Sequence, residues 1–332
     1  MWTTIGHDWA LELLSRALVQ GRLAHTYLVS GPEHIGKTHL ALELATAINC
    51  RGDNPPCHQC PSCSQTSARR HPDLAYVAPD PDRIHIAQVR DLAYQLALSP
   101  LQGDWRVCVV RDVDRATPEA ANALLKTLEE PPSHAILILT VSDASLLLPT
   151  IVSRCQVLTL RAVSPATIER ALAQRGVEPS QARLLARLSA GRIGWAIAAA
   201  ESPQMLERRN DWIDELLTLL ESGRATRLAR AEALSRSKAL PEMLKTWEQW
   251  WRDVMIFSAD APEGCVNIDR LDALERLASS YGPQQSGRCV AQVLDTRRRL
   301  DQNANARLAL EVLLLSWRRH RPDSGAPGVT HR

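Results

Sequence analysis

Two hydrophobic patterns divide the chain near residue 161. Before that point, short apolar runs alternate with stretches of helical period. The runs Thr26–Ser30, Leu74–Val77, Arg106–Val110, Ile136–Thr140 and Val157–Leu160 predict short buried strands. Between them, Trp9, Leu11, Leu13, Leu14, Ala17 and Leu18 recur at the spacing of an amphipathic helix, and an Ala- and Leu-rich helix is predicted from Lys37 to about Asn49. Another helix opens with Thr117 as N-cap and Pro118 in its first turn, carries Ala121, Leu124, Leu125 and Leu128 on one face, and stops at Pro131-Pro132. Strands alternating with helices predict an α/β domain with a parallel sheet and helices on its faces.

Beyond Arg161 the strand signal disappears. Ser164-Pro165 opens a helical stretch to about Glu201, broken at Gly176 and at Gly191-Arg192-Ile193-Gly194. After Ser202-Pro203 the pattern is helical again to about Trp317, with interruptions near Gly223, Pro241, 261–264 and Gly282-Pro283. The chain therefore reads as an α/β domain (1–161), a small helical domain (162–203), a larger helical domain (204–320) and a disordered, Pro- and Gly-rich tail (321–332). Trp247, Trp250 and Trp251 share one helix face, which predicts a tryptophan core rather than a stacking surface for bases.

The first predicted strand runs into Gly31-Pro32-Glu33-His34-Ile35-Gly36-Lys37-Thr38, which fits the phosphate-binding pattern G-x-x-x-x-G-K-[ST] at every required position. In such a loop, backbone N–H groups and a helix N-terminus face the phosphates. Gly31, His34, Gly36, Lys37 and Thr38 are the candidate nucleotide-binding residues, with Lys37 for the outer phosphates and Thr38 for magnesium. The competing reading is a vestigial loop that keeps its shape and binds nothing; His34 and Glu33 are bulkier than the residues of many efficient loops.

A P-loop ATPase also needs an apolar strand ending in carboxylates for magnesium and water. The candidate, Val107-Cys108-Val109-Val110-Arg111-Asp112, has arginine where the first carboxylate should fall. Asp112 is left with a residual role near magnesium or water, or merely caps the turn. Efficient hydrolysis at this loop is not expected.

Cys50, Cys57, Cys60 and Cys63 form C-x6-C-x2-C-x2-C directly after the P-loop helix. Four thiolates predict a closed, structural zinc site, against the alternative of four free thiols. An iron–sulfur run would place its fourth cysteine where Ser67 stands.

Bulk composition narrows the class only modestly. Among 332 residues, apolar content is 45%, charged content 23% and the formal charge +2, so composition demands no polyanionic partner. No apolar run reaches membrane-spanning length, and residues 1–8 lack a secretion signal, so a cytoplasmic protein without membrane partners is expected.

The run Asn122-Ala123-Leu124-Leu125-Lys126-Thr127-Leu128-Glu129-Glu130-Pro131-Pro132, followed by Leu148-Pro149-Thr150-Ile151-Val152-Ser153-Arg154-Cys155, strongly resembles the bacterial clamp-loader ATPases, AAA+ subunits of DNA polymerase III. The four-cysteine insertion, His25-Thr26-Tyr27-Leu28 and His71-Pro72-Asp73 resemble the same family. The resemblance is firm to about residue 200 and looser beyond. It implies a P-loop AAA+ domain, a helical lid and an all-α collar that joins subunits. It also implies that Arg154 is an arginine finger acting on a neighbouring subunit's ATP. Thr140, with Ser142 as rival, falls in the sensor 1 region, and Arg192 resembles the sensor 2 arginine; for both, an ordinary surface hydrogen bond or salt bridge is an equal alternative. The arginine at 111 favours the delta-prime branch, a stator, over the gamma/tau branch with its own ATPase. Implied partners are gamma/tau and delta subunits, the sliding clamp and, through the assembly, primer-template DNA. Implied ligands are structural zinc and possible ATP or ADP with magnesium.

Overall fold

The computed structural model describes residues 2–319; the predicted tail lies outside the described residues. The chain divides into two compact units, one of residues up to Ala182 with Ser189–Ile197, the other of Arg183–Leu188 with residues from Ala198 onward. The 162–203 segment is thus shared between them.

The first unit is built on a five-stranded parallel sheet of β1 (Thr26–Ser30), β2 (Leu74–Val77), β3 (Arg106–Val110), β4 (Ala135–Val141) and β5 (Gln156–Thr159), in the order β2-β3-β4-β1-β5. Three strands have the bounds expected from sequence, and the other two shift by a residue or so. Side chains alternate between two cores, as the strand period requires. Leu28, Cys108, Val110, Leu137 and Leu139 pack with the helices Ile86–Ala97 and Pro118–Glu129. Tyr27, Val29, Val107, Val109, Ile136 and Ile138 pack with the helix Asp8–Val19 and the P-loop helix Lys37–Ile48. Both faces are covered, which is why β1, β3 and β4 read as continuous apolar runs.

The helix Ile86–Ala97 was not among the sequence expectations. Its signal was present: Val89, Leu92 and Leu96 are buried, and His85 begins a capping box in which the Gln88 side chain accepts from the His85 N–H at 2.8 Å. Thr117 and Pro118 begin their helix as expected, the Thr117 hydroxyl accepting from the Ala120 N–H.

The second unit is helical. Trp247, Trp250 and Trp251 on the helix Leu240–Phe257 are fully buried, with Trp317 and Tyr281 against them at ring separations of 4.9–5.6 Å. The tryptophans are core, as their spacing predicts. Gly282, at φ +65° and ψ 172°, breaks the stretch Leu271–Asp301 into two helices, the second opening with Pro283, as the sequence predicts. Arg227 is almost wholly buried and donates to the carbonyls of Leu219, Leu220, Leu314 and Trp317, so one guanidinium satisfies the C-terminal ends of two helices.

Candidate functional site

The P-loop follows β1 at the carboxyl end of the sheet, where open parallel sheets gather their ligands. Gly31 has φ +148°, and a Cβ there would lie 2.7 Å from the Leu160 carbonyl oxygen, so the loop's entry admits only glycine. Gly36, at φ +109°, turns the chain into the P-loop helix. His34 also takes a left-handed conformation, φ +61°, and its carbonyl accepts from the Gly194 N–H at 2.8 Å. This contact ties the loop to the start of the helix Ile193–Glu201.

Lys37 is buried, and its ammonium donates to the carbonyls of Gly31 (2.7 Å) and Pro32 (2.9 Å). Burial pulls its pKa down, against the opposing charges of Asp112, Asp114 and Glu33. The fold therefore brings the loop lysine together with the carboxylates after β3. Thr38 is half-buried at the head of the P-loop helix.

The carboxylates themselves are already engaged. Asp112 has φ +52°; its backbone N–H donates to the Thr140 hydroxyl at 3.0 Å, and its Oδ2 lies 3.2 Å from Arg111 Nε. The Ser142 hydroxyl donates to Asp114. The two sensor 1 rivals thus serve different partners, buried Thr140 bracing the Asp112 backbone and Ser142 the Asp114 carboxylate. A divalent cation about 5 Å from a guanidinium meets repulsion on the order of 6 kcal/mol at an effective dielectric of ~20. The carboxyl end of β3 is a poor fit for magnesium. Arg192 lies near the loop-bound helix, its Nε donating to the Ser189 carbonyl at 2.8 Å and its guanidinium 5.9 Å from the Trp195 ring centre.

The four cysteines converge. Their sulfurs all lie within 4.8 Å of one another, and Cys57 Sγ is 3.8 Å from Cys63 Sγ. Bonds of ~2.3 Å in a tetrahedron require sulfurs about 3.8 Å apart, so the set fits one tetrahedral ion. Backbone N–H groups of Gly52 and Cys57 point at Cys50 Sγ, that of Cys60 at Cys57 Sγ and that of Cys63 at Cys60 Sγ, each at 3.4 Å. Backbone N–H groups of Gln59 and Cys60 push the Cys57 thiol down to about 6, toward the thiolate, whereas burial pushes the Cys63 thiol up, so the geometry and not the titration of the set carries the metal reading. Two links that sequence reasoning missed brace this module. Buried Glu43 on the P-loop helix reaches His58 Nε2 at 3.3 Å while accepting from Thr3 and Thr4, and the Ser62 hydroxyl donates to the Asn49 carbonyl. The signal for Glu43 was a lone carboxylate within an otherwise apolar helix.

Asp73 of His71-Pro72-Asp73 was likewise unassigned. Fully buried, it accepts backbone N–H groups from Leu101, Gln102 and Gly103 at 2.6–2.9 Å. Its job is to pin the segment leading into β3.

Arg154 lies far from the P-loop. It sits just before β5, whose Gln156 pairs with Tyr27 near the start of β1, whereas the P-loop follows the end of β1. One strand of five residues separates the two levels, about 16 Å at ~3.3 Å per residue. Arg154 is exposed; Nη1 donates to the Thr150 carbonyl at 2.9 Å and Nη2 to Glu129 at 3.0 Å. Glu129 belongs to the Leu-Glu-Glu-Pro-Pro run, whose role the sequence left open.

A P-loop after the first strand of a β2-β3-β4-β1-β5 sheet, with a helical region following, defines an AAA+ protein. Profiles described as DNA polymerase III, delta subunit, and its C-terminal part match residues 6–164 and 203–319. The chain is 30% identical to the DNA polymerase III subunit delta' of Bacillus subtilis, over 92% of this chain and 94% of that protein. It is 33% identical to the subunit tau of Escherichia coli over 59% of this chain, which spans only 32% of tau. A crystal structure of a DNA polymerase III gamma subunit-related protein from Thermotoga maritima superposes with a TM-score of 0.52 at 21% identity, covering 94% of this chain and 99% of that one, a likeness of fold. The chain belongs to the delta-prime family of DNA polymerase III clamp-loader subunits. No helix among the described residues is long and apolar enough to cross a membrane.

Proposed function

We propose that this chain is the stator of a clamp loader that places the sliding clamp on primed DNA, and that its Arg154 completes the ATP site of a neighbouring gamma/tau subunit. The observation that carries this reading is the separation within the sheet: Arg154 is exposed at the amino end, about a strand length from the chain's own P-loop. A guanidinium placed there can stabilise phosphoryl charge only on another subunit's nucleotide. The Arg111–Asp112 pair supports the other half of the reading, because it occupies the position where a motor subunit would hold magnesium.

Around this core we assign the finer parts. The Gly31–Thr38 loop, with Thr140 and Arg192 nearby, holds ATP or ADP as a binding rather than a hydrolytic site. Cys50, Cys57, Cys60 and Cys63 hold a structural zinc ion, a reading supported by their spacing and convergence. When bound, the ion supplies cross-linking of the loop and no chemistry, since four thiolates leave no open position. Residues 162–203 act as the lid, and 204–320 as the collar that meets the gamma/tau and delta subunits; primer-template DNA is reached through the assembly. Eight cysteines, four of them assigned to zinc and none joined in a disulfide, support a reducing, cytoplasmic setting. A gamma/tau-type ATPase is the second reading, supported by the intact Lys37 and Thr38.

Reconstitution with gamma/tau, delta, clamp and primed DNA tests this. Arg154→Ala is expected to abolish the share of DNA-stimulated ATP hydrolysis that depends on this interface, and Lys37→Ala to leave turnover within about twofold. The opposite pattern, with Lys37→Ala inactive and Arg154→Ala unaffected, would replace the stator with the motor.

A further inference from the structure

We infer that the P-loop of this chain holds the phosphates of a nucleotide without a divalent cation, the Arg111 guanidinium standing in the cation's place. The inference rests on the reading of Gly31–Thr38 as a nucleotide loop and adds how that loop balances charge.

Strand alternation places Arg111 on the same side of β3 as Val107 and Val109. Those residues pack with Leu40, Ala41 and Leu44 of the P-loop helix, so Arg111 emerges on the P-loop side of the sheet. It is the first residue past the strand, the position from which a carboxylate would otherwise hold magnesium. Its Nε is buried without a hydrogen-bond partner, although Asp112 Oδ2 is only 3.2 Å away; the pair is close but misaligned. The side chain as a whole is 39% exposed. The guanidinium thus has one poorly aligned carboxylate for a partner and an exposed remainder on the side of the phosphate loop, where a phosphate would give it a second anion.

The neighbouring acids do not offer the alternative. Asp112 is committed to Arg111 through Oδ2, and Asp114 to Ser142 through Oδ2, leaving Asp114 Oδ1, itself buried, as an unpaired acceptor. That oxygen and the second oxygen of Asp112 remain, but the Asp112 charge is already opposed by Arg111, and magnesium takes carboxylates in an open octahedral shell with several waters. Lys37 and Arg111 together set two fixed positive charges near the loop, and a planar guanidinium donates to phosphate oxygens in a fork. With no metal to polarise an attacking water, a nucleotide held this way stays intact.

Calorimetric titration of the full chain with ADP, in EDTA and again in excess magnesium, tests the inference. The expected result is an affinity equal within about threefold in the two buffers. Arg111→Ala should weaken ADP binding in EDTA by about tenfold to a hundredfold, the loss of one or two charge-assisted hydrogen bonds. Arg111→Asp should lose binding in EDTA and regain at least tenfold on adding magnesium. Arg111→Lys, which keeps the charge, should bind more weakly than the native chain but still without a magnesium requirement, and circular dichroism identifies any variant that has lost its fold. Native affinity that rises tenfold or more with magnesium sinks the inference and leaves the nucleotide loop standing. No binding in either buffer, with Lys37→Ala indistinguishable from the native chain, removes the nucleotide loop as well.

Discussion

The two ends of one parallel sheet have been put to opposite uses. At the carboxyl end the polar groups pair with one another: Lys37 bonds its own loop, Asp112 pairs with half-exposed Arg111 while its N–H meets Thr140, and Asp114 takes the Ser142 hydroxyl. At the amino end Arg154 is exposed, held by the Thr150 carbonyl and the Ser153 hydroxyl of its own turn and by the still more exposed Glu129. Polar groups that pair around their own loop suit a site that binds and keeps; a guanidinium anchored to its own turn and to one exposed carboxylate suits a site that acts on something outside. The bracing follows the same division. The P-loop helix runs back antiparallel to the strands, so the cysteine module after Ile48 and the Asp73 clamp before β2 both lie toward the amino end. The end that faces outward is the one held by extra cross-links.

The sharpest way to break the comparison is to exchange the expected effects of the two ends. Arg154→Ala is expected to lower hydrolysis at the neighbouring nucleotide by ~10³-fold or more in the assembled loader, the usual size of an arginine-finger effect. Single-turnover ATP cleavage measures it, and the comparison fails if Arg154→Ala and Lys37→Ala lose activity alike.

A smaller effect tests the cysteine bracing. Elemental analysis of freshly purified protein is expected to find about one equivalent of zinc, and less than half would count against the site. Cys63→Ser, or chelation, should remove it and lower the melting temperature by about 5 °C or more. An unchanged melting curve after metal loss would leave the amino end without that brace.

Next in size, Asp73→Ala should cost about 3 kcal/mol in urea unfolding, because three backbone N–H groups lose a charged acceptor. Burial opposes the Asp73 charge, but those bonds win and hold its pKa below the ordinary aspartate value. The sign follows: a depressed folded-state pKa gives stability above about pH 4 that is lost as pH falls through the folded value. Asp73→Ala should therefore flatten the acid limb of the stability–pH profile, and an unaltered limb would assign it to another carboxylate. Glu43, held low by the Thr3 and Thr4 donors against its burial, is the first alternative.

The smallest effect belongs to Glu129. An exposed pair contributes under about 1 kcal/mol, so Glu129→Gln should leave unfolding nearly unchanged. It should alter steady-state ATPase of the assembly by only two- to fivefold, through the freedom it gives Arg154. A loss as large as that of Arg154→Ala would make Glu129 part of the reaction.

Much of this is legible in the sequence. The strands of the first unit, the P-loop and the tryptophan core each rest on local periodicity or spacing, which backbone geometry forces on the chain. The helix Ile86–Ala97 was missed because its cap is a His–Gln pair rather than a Ser or Asp, although Val89, Leu92 and Leu96 carry the helical spacing.

What the sequence determined by itself was the set of parts: a phosphate loop, four clustered thiols, a strand that ends in arginine, and a Ser-Arg-Cys before the last strand. What only the tertiary structure decided was which parts meet. Strand order and register set Arg154 a strand length from the chain's own loop, and set Arg111 on the side of the sheet that the P-loop helix covers. Glu43 meets His58 and Glu129 meets Arg154 across 15 and 25 residues of chain. Local sequence cannot encode such meetings alone, because they follow from how the sheet buries both its faces at once.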